Sequence, residues 1–118
     1  MVRDIWDDDL KKEVIENERP VLLLAYAPWC GDCQRILPVF ETISRLSEYS
    51  QVCFLQMDVD KNPRSKMDLK VERYPTLCLF KDGRKAGEQV AEVSAEEQKV
   101  IIESLLRSGD YENPLEGR

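Results

Sequence analysis

Two thiols stand three positions apart in Trp29-Cys30-Gly31-Asp32-Cys33. That spacing serves three chemistries: half of a metal clip, a structural disulfide, or a dithiol that exchanges with other disulfides. A metal clip needs two further soft ligands. Only Cys53 and Cys78 are on offer, both inside apolar stretches and without the second close pair that zinc motifs show. They read instead as small buried hydrophobes. The chain has no histidine, which removes Cys-His nucleophile pairs, histidine general bases and Cys/His zinc sites together.

Choosing between a permanent cross-link and a working dithiol depends on the compartment. The N-terminal stretch carries Asp7, Asp8 and Asp9 and no apolar run, so it lacks the hydrophobic core of a secretory signal. The longest apolar run, Pro20 to Pro28, is too short to span a bilayer. A reducing cytoplasm is therefore expected, where a Cys-x-x-Cys is catalytic or metal-binding rather than a fixed staple. With 118 residues the chain forms one domain, large enough to bury about two thirds of its unfolded surface. Its net charge of −6 argues against nucleic acid or an anionic membrane as partner.

The elements around the thiols give them their chemistry. Val21 to Ala27 is continuous apolar sequence between two prolines, the pattern of a strand buried on both faces of a parallel sheet, and it runs straight into the cysteines. From Cys33 to Ser50, Ile36, Val39, Phe40, Ile43 and Leu46 recur at helical steps, predicting a long helix kinked at Pro38. Cys30 thus falls at a helix N-terminus, where free N–H groups and the dipole favour a thiolate, and Cys33 lies one turn further in. Their spacing in a first helical turn suits an ordinary disulfide.

Upstream, Met1 to Ile5 has room for only a stub of a strand, and Asp7–Asp9 with Leu10, Val14 and Ile15 predict a short amphipathic helix. Downstream, Val52 to Val59 is a second buried strand, parallel to the first through a right-handed crossover, and Asn62-Pro63 caps and starts a short helix. Leu77 to Phe80 and a strand reaching about Val93 flank Asp82-Gly83, a hairpin signal. Ser94 and Glu97 form a capping box for a last helix that buries Val100, Ile101, Ile102 and Leu105 and stops at Gly109.

Four segments, AYAPWCGDC, MDVDKNP, YPTLCLFKDG and the last helix, resemble the thioredoxin family in order and spacing, from about Asp7 to Leu106. The resemblance implies an α/β fold with a central mixed sheet of four or five strands and helices on both faces. It divides the chain into a domain over residues 1–109 and a polar tail over 110–118. It also implies reversible reduction of protein disulfides by Cys30 and Cys33, with no bound cofactor and recharging by a separate reductase. A cis Tyr74-Pro75 peptide would pack against the cysteines, Tyr74 would offer its backbone to an extended substrate strand, and Trp29 and Gly31 would border the groove.

Several positions depart from the family pattern. The usual buried aspartate and its lysine neighbour are Leu24 and Gln56 here, which leaves Cys33 without an obvious buried base. Asp32 replaces a proline, and its charge is expected to disfavour the Cys30 thiolate and retune the dithiol. Arg73 and Ala91 replace two glycines, and side chains at the rim are expected to narrow the range of clients.

The leading expectation is a cytoplasmic, monomeric thiol–disulfide oxidoreductase acting on few disulfide-containing clients. The alternative is a non-catalytic adaptor or chaperone-like binding module on the same fold. Retention of both cysteines speaks against that alternative, since binding alone needs neither. A third reading, an oxidant or isomerase in an exported compartment, is disfavoured by the N-terminal sequence.

Overall fold

The computed structural model describes residues 1–108. Its centre is strand β2, Val21–Tyr26, in which every residue except Tyr26 is buried. Leu22 and Leu24 enter one hydrophobic cluster, while Val21, Leu23 and Ala25 enter another, so alternate side chains serve opposite faces of the sheet. On one side β2 runs parallel to β3, Cys53–Asp58, which in turn pairs in parallel with the short β1, Val2–Asp4. On the other side β2 is antiparallel to β4, Thr76–Lys81, which forms a hairpin with β5, Arg84–Val90. The sheet order is β1-β3-β2-β4-β5, a mixed five-stranded sheet. The stub foreseen before Ile5 is thus a real edge strand.

Helices α1, Gly31–Ser44, and α3, Ala95–Ser108, cover the face that carries Leu22 and Leu24. The opposite face is covered by the N-terminal turns and by the region around α2, Pro63–Asp68. Asp7–Asp9 forms a 3₁₀ turn and Lys11–Ile15 a π turn, in place of one amphipathic helix. The hairpin turn is as expected: Asp82 and Gly83 both have positive φ, 54° and 77°, the pair of left-handed residues a two-residue hairpin turn demands.

Four further expectations change. Helix α1 runs unbroken through Pro38 but ends at Ser44, six residues early. Ser44 turns its hydroxyl back onto the Glu41 carbonyl at 2.6 Å, and Leu46 is extended. The chain then makes a 3₁₀ turn that buries Tyr49 in the core and leaves Leu46 at the surface. Strand β5 stops at Val90: the Ala91 N–H still bonds the Pro75 carbonyl at 2.8 Å, one step on in the β4–β5 register, but Pro75 has no N–H to return and the ladder ends there. In α3, Ile102, Leu105 and Leu106 are buried and Ile101 half-buried, but Val100 is 61 % exposed. The core-facing stripe begins instead at Gln98, four residues before Ile102. The helix start is as expected, with the Glu97 N–H donating to Ser94 Oγ at 3.3 Å. Its proposed stop at Gly109 and the tail 110–118 lie outside the described residues.

The cap of α2 is the fourth change. Asn62 spends its side chain elsewhere, donating to the Asp58 carbonyl at 2.8 Å and accepting from the Asp7 N–H at 2.7 Å. The free N–H groups of Ser65 and Arg64 go to the Asp7 carboxylate at 2.8 and 3.3 Å. The helix is therefore capped from a distant part of the chain.

Candidate active site

The dithiol lies where β2, buried on both faces, gives way to α1. Cys30 is the N-cap of α1: its backbone is extended, at φ −88° and ψ 121°, and its sulfur accepts the Cys33 N–H at 3.2 Å. A sulfur here fills the place that a serine or aspartate oxygen fills at most helix starts. Its neighbour across the site is the Tyr74 carbonyl, 3.6 Å away. Cys30 is half-buried, whereas Cys33 is fully buried. Burial, and then a hydrogen bond with Cys30, push the Cys33 thiol up to about 12; the Glu92 carboxylate acts in the same direction. Cys33 therefore keeps its proton at neutral pH in the reduced chain, as a thiol that must wait its turn.

The facing wall is the segment that leads into β4. Tyr74-Pro75 is a cis peptide, and Pro75 is buried. The Tyr74 ring meets Trp29 edge-on, with centroids 5.9 Å apart, and the Lys66 ammonium lies 5.7 Å from the Tyr74 centroid. Trp29 is 70 % exposed and is held by one bond, from Nε1 to Asp60 at 3.0 Å. A methyl group built on Gly31 would meet nothing within 4 Å, so the floor between the thiols is open. Trp29, Cys30 and Tyr74 thus lie together, with Gly31 between the thiols and Pro75 next to Tyr74 in the chain.

The departures behave differently from one another. Arg73 is exposed at the rim and pairs with Glu92 at 2.8 Å. Ala91, by contrast, is fully buried, so it is no rim side chain; its N–H and carbonyl are both engaged, by Pro75 and Gln98. Asp32 forms an ion pair with Arg35 one turn along α1, so its charge does not face Cys30 uncompensated. Leu24 is fully buried in the core beneath α1, and its register partner Gln56 reaches outward to Asp4 at 2.8 Å. Gln98 was not foreseen. It is buried and its amide reaches the Asp32 carbonyl, and only a polar residue inside an apolar helical stripe hinted at it.

The two remaining cysteines separate as well. Cys78 is fully buried in β4, and burial pushes its thiol up to about 12. Cys53 is only half-buried, at the start of β3 with the Arg3 guanidinium 3.9 Å from its sulfur, a correction to its reading as a core residue. Edge strand β1 is too short to cover it. Cys53 pairs in register with Val21, at the end of the sheet opposite the dithiol. Among the described residues no three His, Cys, Asp or Glu side chains gather as a metal cluster would require.

Comparison with known proteins decides the family. The Thioredoxin family model matches residues 1–106. The chain belongs to the thioredoxin family. It is 30 % identical over 108 residues to the thioredoxin of Rickettsia typhi, covering 92 % of this chain and 99 % of that one. It is 35 % identical to the thioredoxin of Porphyra purpurea over 89 % of this chain and 94 % of the relative. The crystal structure of Malassezia sympodialis thioredoxin superposes with a TM-score of 0.75 at 31 % identity, over 87 % of this chain and 90 % of that one. As a thioredoxin-family protein with both cysteines in place and close together, the chain is a thiol–disulfide oxidoreductase, a protein-disulfide reductase.

Proposed function

We propose that Cys30 is the attacking thiol and Cys33 the resolving one. The observation that carries the assignment is their unequal burial around one hydrogen bond: Cys30 is half-exposed and accepts the Cys33 N–H, while Cys33 is sealed in and held protonated. The Cys30 thiolate attacks a client disulfide, forms a mixed disulfide and releases one client thiolate. Cys33 then loses its proton to solvent and attacks the Cys30 sulfur, releasing the second client thiolate, which takes up a proton in turn, and leaving a Cys30–Cys33 disulfide. Two electrons have passed to the client. A separate reductase returns two electrons and two protons, with no cofactor bound by this chain.

The Trp29 and Tyr74 rings, in contact beside Cys30, support an extended client segment as substrate, with Tyr74 supplying backbone contacts as the family resemblance implies. The exposed Arg73–Glu92 pair at the rim supports a restricted client set. A cytoplasmic monomer fits the expected reducing compartment, and no helix among the described residues is long and apolar enough to cross a membrane. The test pairs an insulin-reduction assay with trapping. Cys33→Ser should accumulate mixed disulfides with client proteins and Cys30→Ser should not. Equal trapping by both variants overturns the roles, and a wild-type chain that binds clients without reducing insulin favours the adaptor reading.

A further inference from the structure

Gln98 is out of place in the packing of α3. It occupies the core-facing stripe with Ile102 and Leu105, it is fully buried, and its Oε1 finds no hydrogen-bond partner among the described residues. A buried acceptor left unsatisfied works against stability, and an apolar side chain of the same shape is the usual solution at such a position. What the amide does supply is a bridge. Its Nε2 donates to the Asp32 carbonyl at 3.0 Å and to the Ala91 carbonyl at 3.0 Å.

Both acceptors belong to the site. The Asp32 carbonyl and the Cys33 N–H are the two ends of one peptide group, and that N–H points at the Cys30 sulfur at 3.2 Å. The Ala91 N–H bonds the Pro75 carbonyl at 2.8 Å, so Ala91 belongs to the wall that faces the thiols. A hydrogen bond to a peptide carbonyl polarises the peptide and strengthens the bond its N–H makes. One buried amide therefore joins the two walls of the groove and acts on the donor that the attacking sulfur uses.

We propose that Gln98 is a positioning residue of the dithiol reaction, holding the Asp32–Cys33 peptide aimed at Cys30 and tying it to the Ala91–Pro75 wall. This rests on Cys30 being the attacking thiol. It acts only through that peptide and touches neither sulfur.

The test is Gln98→Met, which keeps the volume and removes both donor hydrogens. Unfolding by urea should show stability kept or raised, since the orphaned Oε1 goes too. Alkylation of Cys30 by iodoacetamide, mapped by mass spectrometry, should slow about threefold at neutral pH with its pH profile moved upward, and kcat/KM for insulin should fall with it. A folded variant whose Cys30 profile and kcat/KM match wild type overturns the proposal and leaves the thiol roles standing. If the wild-type thiol labelled first is not Cys30, the assignment of roles fails instead. Should Gln98→Met not fold, the side-chain NH₂ resonances of wild-type Gln98 give a second reading. They should shift when the dithiol is oxidised, and resonances that stay put overturn the proposal.

Discussion

Cys33 and Cys78 are equally hidden from solvent, and burial pushes both thiols up to about 12. One belongs to a redox site and the other is filling in a sheet. The difference lies in what surrounds each sulfur. Cys78 sits mid-strand, paired in register with Leu23 and Glu88, and the strands on either side hold it away from any disulfide. Cys33 sits where a strand has ended and a helix begins, within reach of a second thiol that is itself half-open to solvent. Burial alone makes a thiol inert; burial behind a more exposed partner makes it a resolving thiol.

The largest expected effect breaks the comparison outright. Cys33→Ala should abolish insulin reduction, whereas Cys78→Ala should leave the rate within about twofold and cost about 1 kcal/mol of stability, a few degrees in Tm. Loss of reductase activity in a well-folded Cys78→Ala protein would mean that the strand thiol takes part in exchange. Alkylation of the native reduced chain should also rank the four thiols, with Cys30 first, Cys53 next because it is only half-buried, and Cys33 and Cys78 last. Fast labelling of Cys78 would contradict its sealed position.

A second, smaller effect separates the two buried thiols by pH. Each folded-state value, about 12, lies above the ordinary 9.0. The folded chain therefore holds these protons more tightly than the unfolded one. Its stability is whole below pH 9.0 and is lost as pH rises toward about 12. Oxidation removes Cys33 from this titration and leaves Cys78 in it. Tyr49, also raised chiefly by burial, titrates in both redox states and cancels in the comparison, whereas Tyr26, raised chiefly by burial and in small part by Cys33, adds to the fall of the reduced chain. Urea midpoints measured at about pH 8 and about pH 10.5 should fall further for the reduced chain than for the oxidised one. An equal fall in both would show that Cys33 is not the buried, protonated thiol described here.

What could be read from the sequence follows from which forces leave a local trace. Burial of β2 on both faces shows as an unbroken apolar run. The turn at Asp82-Gly83 shows because positive φ restricts residue choice, and the dithiol shows because two thiols three apart have few other uses. The contacts that were not legible are polar and distant: Asp7 capping α2, Gln98 joining Asp32 to Ala91, and the early end of α1 that lets Tyr49 into the core. Each is a hydrogen-bonding or packing choice between segments far apart in the chain, and no periodicity records it. Val100 was misplaced for the same reason. Counting apolar residues skipped the glutamine that faces inward and promoted the valine that faces out.

The smallest effect concerns the charge inside the dithiol. A unit charge about 6 Å from a thiolate in water-like surroundings is worth about 0.7 kcal/mol, or about 15 mV in a two-electron potential. Alone, the Asp32 carboxylate would disfavour the Cys30 thiolate by that much and make the dithiol more reducing. The Arg35 guanidinium paired with it contributes nearly the opposite, so the wild-type pair should be close to silent. Breaking the pair from either side unmasks one charge. Asp32→Asn should raise the reduction potential, Arg35→Gln should lower it, each by up to about 15 mV, and the double variant should return close to wild type. Both shifts should shrink in high salt, because Asp32 and Arg35 are each partly exposed. Equilibration with glutathione at two ionic strengths measures all four proteins. Shifts of the same sign in the two single variants would show that these side chains act on the helix start and not on the sulfur, and the charge within the motif would then have only a structural part.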